Sequence, residues 1–132
     1  MKFLLDTDTC IYVLKQNPAV LKHLLAHSRE DIAVSVITEA ELRTGAAKST
    51  SAAKTLRLVE NFLRPLGIVE FTSNDAALYA QVRAKLERAG TSIGPLDTLI
   101  AAQAVARKLV LVSNNEREFS WVEGLRMENW AS

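Results

Sequence analysis

The sequence is poor in soft metal ligands and has no long hydrophobic run. Its one cysteine, Cys10, excludes a disulfide within the chain and makes a reducing compartment the natural setting. Two histidines, His23 and His27, are too few to join that cysteine in a structural zinc site. They stand four apart on one short helical stretch, a spacing that can bind metal, but no third ligand accompanies them. No Ser/His/Asp set is legible either. Five glycines and three prolines leave no linker, repeat or low-complexity tract. No apolar run approaches the roughly 18 residues that a bilayer span needs. No leader is legible, because Asp6 interrupts the opening apolar residues Phe3–Leu5. The phosphate-binding patterns GxxxxGK and GxGxxG are missing too. A formal net charge of +1 neither demands nor excludes a nucleic-acid partner.

What is present is an ordinary globular composition, 48% hydrophobic and 23% charged, in a length that suits one domain over residues 1–132. Short apolar strands are expected at Lys2–Leu5, Ile32–Val34, Ile68–Phe71, Leu109–Val112 and Leu125–Met127. Between them lie helical patterns. Asp8 is the expected N-cap of a helix over Thr9–Lys15, and Pro18 opens the next. Thr38-Glu39-Ala40-Glu41 reads as a capping box for a helix to about Lys48. Leu56, Val59, Phe62 and Leu63 mark another apolar face. Ser73 caps a long helix whose buried side should hold Ala77, Tyr79, Ala80, Val82 and Leu86, ended by Gly90. Gly94-Pro95 starts a helix with Leu96, Leu99, Ile100, Ala101 and Ala104 apolar. Alternation of this kind predicts an α/β fold, a three-layer α/β/α sandwich around a mostly parallel sheet of four to five short strands.

Position makes the acids informative. Ligands of an open parallel sheet bind outside the carboxyl ends of its strands. Asp6 follows the first strand directly. Glu41 lies early in the helix after the second. Asn114, Asn115, Glu116 and Glu118 follow the fourth. These should share one rim, together with the supporting polar residues Thr7, Asp8 and Ser113. Asp97 is different: its helix precedes a strand, so it joins only if that helix starts near the rim. A cluster of Asp and Glu is what a hard, oxygen-seeking ion such as Mg²⁺ requires, and two-metal sites of this kind hydrolyse phosphodiesters. Without metal the carboxylates repel, and at least one pKa should rise. Each acid also has a structural reading. Glu41 can complete the capping box, Asp97 can answer the helix dipole, and Asp6 can cap a helix that begins at Thr7.

Taken together, LLDTDTCIYVL, SVITEAELRTGAAKS, GPLDTLIAAQA and LVSNNEREF with GLRMENW resemble, in order and over nearly the whole chain, the PIN-domain family and its VapC-type toxins. The resemblance implies a PIN-like fold and a metal-dependent endoribonuclease. It implies Asp6, Glu41 and Asp97 as metal-binding acids, with Mg²⁺ as cofactor and Mn²⁺ substituting. Many PIN domains carry a fourth acid where this chain has Asn115; Glu118 supplies that carboxylate from a turn away, or Asn115 holds a water. The resemblance further implies an RNA substrate such as a tRNA loop, a VapB-like antitoxin partner, a homodimer and larger toxin–antitoxin assembly, and a bacterial cytoplasmic setting. Candidate phosphate contacts are Arg43, Lys48, Arg83, Lys85, Arg88 and Arg117. Two other readings stand beside this one: a PIN nuclease of RNA maturation, and a non-catalytic receiver-like module with acids at strand ends.

Overall fold

The computed structural model describes residues 1–132. Five strands form one all-parallel sheet: β1 (Phe3–Leu5), β2 (Ile32–Ser35), β3 (Gly67–Val69), β4 (Val110–Val112) and β5 (Arg126–Glu128), in the spatial order β3-β2-β1-β4-β5. Period-two alternation sends β1 side chains to both faces. Phe3 and Leu5 join Ile32, Val34 and Val112 under helices α1 (Thr7–Leu14), α2 (Pro18–Ala26), α3 (Val36–Lys48) and α4 (Ala52–Leu63). Leu4, Ala33 and Leu111 point the other way, against α5 (Ser73–Arg88), α6 (Pro95–Arg107) and α7 (Glu116–Phe119). A sheet covered on both faces is why the strands read as continuous Leu, Ile and Val rather than alternating with polar residues. The layers are those expected from the sequence.

Several local expectations are corrected. Asp6, not Asp8, caps α1: its Oδ1 accepts from the Thr9 amide at 2.8 Å, and the helix begins at Thr7. No capping box forms at Thr38. Ser35, three residues earlier, caps α3 by accepting from the Ile37 amide at 3.0 Å. The box lies instead at Thr72 and Asp75, opening α5 one residue ahead of Ser73 as cap. β3 spans Gly67–Val69 rather than Ile68–Phe71. On α5 only Asp75 and Leu86 are buried, while Ala77 and Ala80 are exposed. Leu96, at the start of α6, is 44% exposed. Gly90 does take the left-handed conformation, φ +71°, just past α5, where a side chain would be strained.

The strand order locates the functional edge. From β1 the chain steps outward to β2 and β3, then returns to lay β4 on the other side of β1. The direction of winding therefore reverses between β1 and β4, and a crevice opens at their carboxyl ends. That edge is stitched tightly. The Asp6 amide donates to Val112 O at 3.1 Å, the Ser113 amide to Glu128 O at 3.0 Å, and Thr9 Oγ1 to Val112 O at 3.0 Å.

Candidate active site

Asp6 ends β1 at the crevice and is buried. Burial pushes its carboxyl up, against hydrogen bonds from Ser113 and Thr9 that lower it; the net shift is upward. The reading of Asp6 as an N-cap therefore holds, and it accounts for one carboxylate oxygen only. Glu41 has no capping role, because α3 starts earlier than its sequence suggests. Its Oε1 accepts instead from Thr7 Oγ1 at 2.7 Å, and Thr7 Oγ1 lies 3.1 Å from the buried Thr38 hydroxyl. Thr7 thus ties α1 to α3 and fixes Glu41 toward the crevice.

Asp97 reaches the rim through a hairpin of helices. Asp75 near the start of α5 pairs with Arg107 at the end of α6, whereas Arg83 and Leu86 further along α5 share a small cavity with Pro95 and Thr98. The two helices are therefore antiparallel. Gln103 Nε2 donates to the carbonyls of Val69 and Glu70, at 3.3 Å each, so the middle of α6 sits at the carboxyl end of β3. Asp97 stands six residues earlier, about 9 Å beyond that level along the helix. The hairpin lifts the start of α6 above the strand ends, which answers how a helix that precedes a strand joins the rim.

The charges confirm the proximity. Asp97 is pushed up to about 6, first by burial, then by the negative charges of Asp6, Glu41, Asp8 and Glu118. A first-turn carboxylate answering only its helix dipole would be shifted the opposite way. Beyond β4, Asn115 Nδ2 donates to Glu118 Oε2 at 2.8 Å, and the Asn115 amide donates to Ser113 Oγ at 2.9 Å. A polar chain thus runs from Asp6 through Ser113 and Asn115 to Glu118. Sequence reasoning named these residues but not their connections, nor the Thr7 link to Glu41.

The donor set is entirely oxygen, partly desolvated and mutually repelling, which fits a hard dication. No group of three or more His, Cys, Asp or Glu side chains is placed to hold a metal ion, so the chain offers no ready-made three-ligand set. Mg²⁺ does not need one, since it is commonly held through one or two carboxylates and keeps several waters. The basic candidates divide. Arg43 pairs with Glu39 at 2.9 Å, Lys85 with Glu123 at 2.9 Å, and Arg83 with Glu87 at 3.5 Å. Arg117 lies over the Trp121 ring, while Lys48 and Arg88 are exposed. An apolar groove of about 430 Å³ between α5 and the Trp121–Gly124 turn contains none of Asp6, Glu41, Asp97 or Glu118.

An all-parallel sheet whose winding reverses beside gathered carboxylates defines a three-layer α/β protein with an acidic centre at its switch point. Residues 3–125 match the PIN domain family, and the chain belongs to it. It is 39% identical to a tRNA(fMet)-specific endonuclease VapC of Salmonella typhimurium, covering 98% of each chain. It is 40% identical to Ribonuclease VapC2 of Haemophilus influenzae, again over 98% of each. Among solved structures it resembles a chain of DNA-bound VapBC from Salmonella typhimurium, with a TM-score of 0.93, 39% identity and 98% of both chains covered. VapBC2 from Rickettsia felis, bound to a promoter DNA fragment, gives a TM-score of 0.90 at 35% identity, covering 98% of this chain and 99% of that one. No helix is long and apolar enough to cross a membrane.

Proposed function

We propose that this chain is a divalent-metal-dependent endoribonuclease, the toxin of a toxin–antitoxin pair, with Asp6, Glu41 and Asp97 as its acidic centre and Glu118 as a fourth carboxylate. One observation carries the reading: Asp97 lies half-buried beside the negative charges of Asp6, Glu41, Asp8 and Glu118, which with burial push its carboxyl up to about 6. Gathering anions in a half-buried crevice opposes folding, and a bound cation offsets that cost. Mg²⁺ would be the ion, with Mn²⁺ substituting, and Asp6 and Asp97 would hold it. Such an ion, when bound, would supply Lewis-acid activation of water and charge stabilisation for the departing oxygen of the cut strand.

The remaining work belongs to the chain. Asp6 is rigid, with one oxygen fixed by the Thr9 amide. Glu41 has one oxygen held by Thr7 and the other left to accept a hydrogen bond or proton from an attacking water. Asn115 keeps Glu118 facing the crevice. The names of the relatives make tRNA the first RNA to try and a VapB-like protein the partner. A cytoplasmic setting and a homodimer belong to the same proposal.

The test is cleavage of tRNA and total RNA with Mn²⁺, with and without EDTA, followed by mapping of the new ends. Parent protein cuts and EDTA stops it. Asp6→Asn and Asp97→Asn abolish cutting while circular dichroism and thermal midpoint report an intact fold. A variant that cuts as fast as the parent removes that residue from the site.

A further inference from the structure

Beside the acidic centre lies a cleft that its chemistry does not use. It measures about 340 Å³, is lined by Ile37, Ala40, Glu41, Thr44 and Leu96, and runs between α3 and the start of α6. Glu41 is a wall of both the cleft and the acidic centre, and Leu96 directly precedes Asp97. The volume falls within the range of small-ligand pockets, roughly 300–1,000 Å³. Leu96 is 44% exposed although the helical pattern marks it as core, so a large aliphatic group stands in solvent at the lip of the site.

The other flanks of the acidic centre are polar. Asp8 and Asn114 are exposed, and Glu118 is held by Asn115. The cleft is therefore its apolar side. Thr44 spends its hydroxyl proton on the Ala40 carbonyl at 2.8 Å, and Glu41 has one oxygen held by Thr7 and the other given to the acidic centre, which leaves little in the cleft to read hydrogen-bonding edges.

We infer that this cleft receives one unpaired nucleobase of the RNA, adjoining the bond that is cut. The inference rests on the ribonuclease reading above. A phosphate placed at the acidic centre, where a cation held by Asp6 and Asp97 would offset the repulsion, leaves its neighbouring base one sugar away, out of its stack and in need of an apolar surface. Leu96 and Ile37 supply that surface. Bases leaving a stack are commonly sandwiched between aromatic or apolar side chains, and an aliphatic surface such as Leu96 and Ile37 offers no donor or acceptor by which to tell one base from another. The cleft thus senses that a base is present more than which base it is, and Leu96 is a substrate-binding residue.

The experiment uses the full chain, Mn²⁺ and a short single-stranded RNA whose cut site has been mapped, together with versions in which each nucleotide flanking the cut carries an abasic ribose. With parent protein, one abasic position lowers kcat/KM about tenfold, in line with the loss of one base face from apolar side chains. Leu96→Ala lowers kcat/KM on intact RNA by a similar factor and costs nothing further on that abasic RNA, since the pair interacts. Leu96→Met, which keeps an apolar arm, restores cutting to within about twofold. Equal losses from Leu96→Ala on intact and abasic RNA overturn the proposal. So does a Leu96→Ala protein that cuts intact RNA at the parental rate, an outcome that leaves the cleft to a protein partner such as an antitoxin. A parent protein that cuts no RNA with Mn²⁺ is a different failure, and it strikes the ribonuclease reading itself.

Discussion

At the scale of single residues the acidic centre is under strain of charge. Asp97 binds its proton more tightly in the folded chain than the ordinary value of 3.8, at about 6. Between those values the native state holds more protons than the unfolded one, so stability falls as pH rises through that window. Metal-free Asp97→Asn should therefore be more stable than the parent at pH 7, by up to ~3 kcal/mol before screening is allowed for. The gain should shrink away as pH drops toward 4. Thermal midpoints of both proteins in EDTA, from pH 4 to 7, check it; an unchanged difference across that range removes the charge explanation. Thr7 offers a second test. Thr7→Val deprives Glu41 of a hydrogen bond to a charged group, worth ~1.5–3 kcal/mol. An activity loss of about tenfold or more follows, with Thr7→Ser near the parent. The acids were legible in the sequence because each falls at a strand end or in the early turns of a helix. The Thr7–Glu41 bond was not, since it joins residues 34 apart.

At the scale of elements, the α5–α6 hairpin presents Asp97, and its base is clasped by Asp75 and Arg107. Burial pushes the Asp75 carboxyl up, but the Arg107 guanidinium and the Thr72 amide outweigh it and hold the carboxyl below the usual range. Arg107 Nη2 donates to Asp75 Oδ2 at 2.9 Å and to Glu70 O at 3.1 Å. Arg107→Ala leaves a buried anion unpaired and should cost about 2–4 kcal/mol. Because the folded pKa is depressed, the pair contributes fully above the ordinary carboxylate range, and the contribution is lost as pH falls through the lower folded value. Chemical denaturation at pH 7 and pH 3 measures both statements: the gap between parent and variant narrows in acid. Fold class, strands and helix types were readable from hydrophobic runs, since burial on both faces leaves an unbroken apolar signal at β1, β2 and β4. The buried side of α5 was misread because this helix stands partly clear of the sheet, where Ala77 and Ala80 meet solvent. Capping was misread at α3 because Thr38 and Glu41 have the spacing of a box, while Ser35 lies where the chain actually turns.

At the scale of the whole molecule the two ends of the chain meet. Trp130 is buried against Phe3, with ring centroids 5.4 Å apart, and against His23 and His27 on α2 at 5.6 and 5.4 Å. Its indole nitrogen donates to Glu128 Oε1 at 2.9 Å. This explains the histidine pair that found no metal role in the sequence: both rings stack on one tryptophan. Trp130→Ala should lower stability by about 3–5 kcal/mol, read from the denaturation midpoint. A change under 1 kcal/mol would mean that the tail does not anchor the core.

The sheet order carries a consequence for how the protein is made. β1 and its neighbour β4 are separated by six α-helices and two strands of intervening chain, so Asp6 finds Ser113 and Glu118 only after all of that stretch has been made. A nascent chain that stops short of β4 lacks one wall of the crevice. On the ribonuclease reading, the translation machinery that builds this protein is out of its reach until β4 docks beside β1.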